Sequence, residues 1–201
     1  MENIENKKET RKESKISYLL KEWVLPIVVA FVLFKIITTF VFFNSQIPSE
    51  SMYPTLQVSD RLFTWRIFDR EKVERGDIVV FEQPNNDKDL FVKRVIGLPG
   101  DMIKLETNGD VYVNGELLEE PYVKNQIDAE TYEKGLYTDA NGYEMNLGTY
   151  EVPESHVFLI GDNRSASLDA RYWEDPYISM DAIEGKPLFR MWPFSRFGKV
   201  E

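Results

Sequence analysis

Residues 101–118 read DMIKLETNGDVYVNGELL. Two Asn-Gly steps, Asn108-Gly109 and Asn114-Gly115, punctuate runs in which apolar and polar residues alternate. Asn and Gly accept the positive φ that a tight hairpin turn demands, and a period of two sends successive side chains to opposite faces of a sheet. The stretch therefore predicts antiparallel hairpins. The same texture recurs on either side of it. RLFTWRIF (61–68) and DIVVFEQP (77–84) read as strands, and DLFVKRVIGLPGD (89–101) contains another, ended by Gly97 and the Pro99-Gly100 turn. HVFLIGD (156–162) and PLFRMW (187–192) are two more. Many short strands with closely spaced turns predict a mainly β domain built on an antiparallel sheet. Residues 119–152, acidic, tyrosine-rich and punctuated by Gly and Asn, read as an irregular excursion from that sheet.

Before residue 44 the texture is different. WVLPIVVAFVLFKIITTFVFF (23–43) carries a single charge, Lys35, in 21 residues. At a rise of about 1.5 Å per residue, such a helix matches a hydrocarbon core about 30 Å thick. The long stem of Lys35 can carry its ammonium toward the far interface, where Phe40, Phe42 and Phe43 would meet the headgroups. A buried helix of a soluble protein and a cleavable export signal are the competing readings. The run is apolar all round, exceeds a usual signal core and has no small-x-small pattern after it, which favours an uncleaved anchor. Residues 1–21 hold Lys7, Lys8, Arg11, Lys12, Lys15 and Lys21, and the positive-inside rule keeps such a flank cytoplasmic. The expected organisation is a basic cytoplasmic segment (1–21), a transmembrane anchor (22–43) and an extracytoplasmic β-rich domain (44–201), single-pass in the cell membrane.

Composition removes several classes of function. The net charge is −10, and residues 44–201 hold 17 basic against 29 acidic side chains, which opposes a phosphate backbone; nucleic acid is not an expected partner. With no cysteine there is no disulfide framework, thiol nucleophile or thiolate metal site. His156 is the only histidine, so a zinc site built on several histidines is excluded and neither a metal nor a cofactor is called for. A Ser-His-Asp triad would have to use His156, which begins a strand and reads as a surface or edge residue.

The chemistry then turns on IPSESMYPTL (47–56), which sets Ser49 and Ser51 just after the apolar run. One reading is a polar turn leaving a membrane; the other is a nucleophile. A serine hydroxyl attacks only if a base takes its proton. Lys93, in DLFVKRVIG, shares a strand face with Phe91 and Val95. In solvent it is an ordinary ammonium. Within an apolar wall, desolvation lowers its pKa and leaves a neutral amine that can act as a base. Spacing alone leaves both readings open.

PSESMYPTL (48–56), RGDIVVF (75–81), KRVIGLPGD (93–101) and GDNRSASLD (161–169) follow one another in that order behind the anchor. Together they resemble the boxes of the bacterial type I signal peptidases, in the single-anchor form typical of Gram-positive cells. These are membrane serine proteases that remove signal peptides from exported proteins. The resemblance runs from the anchor to GKPLFRMWP (185–193) and is weak in residues 119–152 and in the tail. It implies Ser51 as nucleophile and Lys93 as general base. It also implies an oxyanion hole made by the Ser49 hydroxyl and the Ser51 N–H, and Ser167 as the group that orients the lysine. Asp169 and Arg171 match a structural ion pair near the site, while Asp162, Asn163 and Arg164 are architectural. An extended substrate would add as a strand beside residues 45–48 or beside the strand bearing Phe91. Met52, Phe91 and Val92 are then candidate walls of a pocket for small residues at the first and third positions before the cut. The implied partners are preproteins with signal peptides emerging from the translocation machinery, and membrane lipid. Three positions depart from the family pattern: Ala170 replaces a usual serine, RYWED (171–175) lacks a glycine that commonly follows, and Glu50 stands where many relatives have a small residue. Two rival readings are a self-cleaving Ser-Lys repressor or mutagenesis protein and a non-catalytic relative that assists surface-protein assembly. The anchor opposes the first, and the presence of both Ser51 and Lys93 opposes the second.

Overall fold

In the computed structural model the chain is described over residues 18–66, 69–83, 89–123 and 145–201. The basic residues Lys7 to Lys15, the ends of two expected strands (67–68 and 84) and most of the expected excursion (124–144) lie outside the described residues.

A π-type turn, Leu20–Val24, runs into helix α1 (Leu25–Phe40). Pro26 sits in the first turn of α1, where backbone N–H groups have no intrahelical acceptor and a missing one costs little. Leu20–Phe40 is long and apolar enough to cross a membrane, and all of its residues are exposed. The apolar run extends beyond the helix. Phe42 and Phe43, expected at the headgroups as the end of the span, are instead the first residues of strand β1 (Phe42–Gln46). A run that is apolar throughout carries neither the helical nor the strand period, so its sequence alone hides this boundary. The pairing partner supplies it: Phe42 lies opposite Trp65 and Phe43 opposite Thr64.

The unit from Phe42 onward is a mainly β, antiparallel domain. After β1 come β2 (Arg61–Arg66), β3 (Ile78–Glu82), β4 (Leu90–Gly97), β5 (Met102–Leu105), β6 (Val111–Val113) and β7 (Glu116–Leu117). Then follow β8 (Thr149–Glu151), β9 (His156–Ile160), β10 (Tyr177–Ser179), β11 (Ile183–Trp192) and β12 (Gly198–Lys199). The larger sheet has the order β1-β2-β11-β3-β4-β9-β10, with β12 added on β11; the smaller has the order β7-β6-β5-β8.

The hairpins of residues 101–118 form the smaller sheet. Asn114 (φ 55°) and Gly115 (φ 86°) make a two-residue turn between the paired Val113 and Glu116, the positive-φ geometry that fits the twist of a hairpin. The 119–152 stretch rejoins that sheet through β8, which was not expected, and β10 was likewise unforeseen. β11 begins four residues before the expected PLFRMW strand; its register shifts beside Pro187, which cannot donate to a ladder. Phe81, Val95 and Phe158 of the larger sheet pack with Ile103, Val111 and Val113 of the smaller in one buried cluster. A second cluster gathers Ile47, Met52, Leu56, Leu62 and Ile78. It pins the loop between β1 and β2, where burial of Met52 and Leu56 contributes about 1.5–3 kcal/mol each.

Candidate active site

The β1–β2 loop is closed at its base, where the Ile47 N–H donates to Asp60 O at 2.9 Å and the Ser59 N–H donates to Ile47 O at 2.8 Å. With Met52 and Leu56 buried beneath it, the loop holds Ser51 at 8% exposure. Lys93, from the middle of β4, is 3% exposed, and its Nζ donates to Ser51 Oγ at 2.8 Å. The Ser49 hydroxyl donates to the same oxygen at 3.3 Å. The two residues proposed for proton transfer therefore touch, and the second serine adjoins them.

Burial brings the Lys93 ammonium down to about 8. The Asp169 carboxylate acts against this, the Arg171 guanidinium supports it, and Asp162 opposes it again. Asp169 and Arg171 bind each other through two hydrogen bonds, of 2.8 and 2.9 Å, and both are buried. Their opposed fields offset one another at the lysine, so the nearby carboxylate does not return its pKa to the ordinary lysine value. Asp169 itself stays below its ordinary value: burial pushes it up, but Arg171 and the Gly161 N–H outweigh that.

The backbone on both sides of the Ser51 nitrogen is gripped by Asn163. Its N–H donates to Ser51 O at 3.0 Å, and its Nδ2 donates to Glu50 O at 3.1 Å. Asp162, fully buried, accepts from Thr55 Oγ1 at 2.6 Å and from Arg94 Nε and NH2 at 2.8 and 2.7 Å. Gly161 lies so close that an added Cβ would stand 2.5 Å from Ser51 O and 2.1 Å from Ser167 Oγ. Ser167 is buried in this packing, and its Oγ makes no hydrogen bond among the described residues, to Lys93 or to any other group. Ala170 is fully buried, and its N–H donates to Leu159 O at 3.2 Å. Glu50 is exposed, as are Glu174 and Asp175 at the end of the RYWED run.

Ser51 and Lys93 open onto a cleft of about 620 Å³. Residues 44–48 form one wall and residues 89–93 form another; Met52, Phe91 and Val92 all contribute to it. Both walls are open strand edges. β1 is the outermost strand of its sheet, and β4 pairs with β9 only from Arg94 onward, so Leu90–Lys93 have no strand partner on that side among the described residues. His156 stands at the start of β9 with Nδ1 2.8 Å from Glu154 O. Among the described residues no group of three His, Cys, Asp or Glu side chains could hold a metal ion.

Sequence reasoning overlooked Arg94 as a support of the Asp162 box, although it directly follows Lys93. It also overlooked Glu120 and Tyr122. Glu120 pairs with Arg164 from 44 positions away, and no spacing rule connects them.

The family model described as signal peptidase, peptidase S26, matches residues 20–192. The chain is 36% identical to a probable signal peptidase I-2 of Synechocystis, over 98% of this chain and 84% of that protein. It is 36% identical to signal peptidase IB of Staphylococcus aureus, over 89% of this chain and 92% of that protein. A crystal structure of a signal peptidase I from Enterococcus faecalis is 30% identical and covers 57% of this chain and 96% of its own, with a TM-score of 0.42.

Proposed function

The chain belongs to the signal peptidase family, peptidase S26, and from that premise we propose that it cleaves signal peptides from exported preproteins with a Ser51–Lys93 dyad while anchored in the cell membrane. The observation that carries this reading is the 2.8 Å contact between a buried lysine amine and a serine hydroxyl at the floor of a cleft. The neutral amine of Lys93 accepts the hydroxyl proton as Ser51 Oγ attacks the scissile carbonyl. The Ser49 hydroxyl and the Ser51 N–H stabilise the oxyanion that develops; one such donor is worth about 2.7–4 kcal/mol. The Lys93 ammonium then gives its proton to the leaving amine, and the signal peptide remains as an ester on Ser51. Lys93, neutral again, takes a proton from water as it attacks the ester, then gives that proton to the departing Ser51 oxygen, which frees the acid and the serine. The resemblance gives Ser167 the task of orienting the lysine, for which its unbonded Oγ must turn toward Lys93 Nζ.

The open edges of β1 and β4 support binding of the substrate as an added strand, with alternate side chains toward Met52, Phe91 and Val92. Residues 20–40 are the single membrane crossing, with the basic end cytoplasmic and the β domain outside, where preproteins leave the translocation machinery beside lipid. The test is incubation of a preprotein in detergent with wild type, Ser51→Ala and Lys93→Ala. Wild type alone is expected to release the mature protein. Release of the same product by Ser51→Ala would overturn the assignment of the nucleophile.

A further inference from the structure

Asn163 grips the backbone of Ser51, and four side chains behind it fix where Asn163 can stand. Arg164, the next residue, is buried; its Nε donates to Gly161 O at 3.2 Å and its NH2 to the Glu120 carboxylate. Both members of the Arg164–Glu120 pair are nearly closed to solvent, with side chains 3% and 8% exposed. Glu120 also accepts a hydrogen bond from the Tyr122 hydroxyl at 2.8 Å. The Tyr122 ring in turn lies against Arg94, whose guanidinium carbon is 3.9 Å from the ring centre. Arg94 carries Asp162 on its other side. Residues 120 and 122 thus meet two arginines at once: Arg164, which follows Asn163, and Arg94, which holds Asp162 before it.

We propose that Glu120 and Tyr122 form a clasp that positions the catalytic serine through Arg164, Arg94 and Asn163, so that the start of the 119–152 excursion is a positioning part of the active site. This rests on the reading of Ser51 as nucleophile. Neither residue borders the substrate cleft, so the clasp acts on the rate of the chemical step and leaves substrate binding alone. With a carboxylate at 120, the Arg164 cation is paired and the turn is held. With an amide there, a buried guanidinium loses its counter-charge and pulls the turn toward solvent. The peptide around Ser51 then loses its fixed direction, and the oxyanion N–H is set by that peptide.

The test uses full-length protein in detergent micelles. Glu120→Gln and Tyr122→Leu are each expected to lower kcat on a preprotein at least fivefold with KM within twofold of wild type. Tyr122→Phe, which keeps the ring over Arg94, is expected to stay within threefold. Because Glu120 acts in part through the Asn163 side chain, the double variant Glu120→Gln/Asn163→Ala should lose less than the product of the two single losses, a coupling that a general loss of stability does not produce. Hydrogen exchange gives a reading independent of activity: Glu120→Gln should raise deuterium uptake in residues 48–56 and 161–165 while uptake in β3 is unchanged. Unchanged uptake around Ser51, or effects that multiply in the double variant, overturns the clasp. Loss of cleavage in wild type itself would instead strike the Ser51 reading, and the exchange result would still decide the clasp.

Discussion

Ser51 and Lys93 stand 42 positions apart in the chain, and the β1–β2 loop and β4 bring them to 2.8 Å. The distance matters less than the environment, because a charged lysine at that distance cannot accept a proton. With its pKa brought down to about 8 by burial, about one-tenth of Lys93 is neutral at pH 7 and most is neutral by pH 9. The sign is fixed: the active form gains as pH rises, so kcat/KM should climb through an ascending limb with its midpoint near 8. A rate profile for a preprotein or a soluble peptide checks this, and a midpoint at the ordinary lysine value would mean that the amine is solvated in the working enzyme. Gly161 yields a second expectation. A methyl group there would come within 2.5 Å of Ser51 O, so Gly161→Ala must displace the nucleophile's peptide; a shift of about 1 Å costs about a hundredfold in rate. Steady-state kinetics should show that loss in kcat, in protein that still unfolds cooperatively. The pairing of Ser51 with Lys93 was legible in the four boxes through their resemblance to a known family. The environment was not, since burial of Lys93 depends on which strands pack over it, and the Glu120 contact depends on two segments meeting with no local pattern to announce it.

Strands β1 and β4 do more than carry the dyad, because their unpaired edges make the two walls of the cleft. The Ile47 N–H bonds toward β2, and the alternation of an antiparallel ladder then turns Ser45 the same way and Asn44 and Gln46 outward. Gln46 therefore offers its N–H to the open edge. Gln46→Pro removes that donor without breaking the β1–β2 ladder, as edge strands allow. Losing one backbone hydrogen bond of about 0.5–1.5 kcal/mol to an added strand should lower kcat/KM about two- to tenfold. Ser45→Pro, which strikes the inner ladder, should instead lower the midpoint of thermal unfolding; equal kinetic and thermal effects for both variants would exclude strand addition at β1. The hairpins of residues 101–118 were readable because the Asn-Gly steps leave few alternatives for the turn. β1 was hidden, since its first residues continue an apolar run. β8 and β10, three residues each, are too short to show alternation and exist because a neighbouring strand pairs with them.

At the scale of the molecule, β11 lies between β2 and β3 although it follows them by more than a hundred residues, a placement no local signal predicts. That closure joins the strand bearing the serine loop to the strand bearing the lysine within a single sheet. The other whole-molecule feature, the Leu20–Phe40 helix, was plain from composition: 21 exposed apolar-rich residues reach about 31 Å as a helix, enough for a hydrocarbon core. As the proposed anchor, its value lies in encounter. A signal peptide held in the same bilayer as the enzyme meets it at an effective concentration set by confinement rather than by dilution, a gain that reaches about a hundredfold or more for tethered partners. Full-length enzyme and a preprotein placed together in the same liposomes should therefore react at least tenfold faster, at equal bulk concentrations, than when each occupies its own detergent micelle. A soluble peptide spanning the cut serves as the reference, because it does not share the bilayer and reports the intrinsic activity of the enzyme in either medium. Its kcat/KM should be the same in liposomes and in detergent. A preprotein that gains no more than the soluble peptide would show that the helix anchors the enzyme without aiding capture, and would return the whole of substrate recognition to the cleft between β1 and β4.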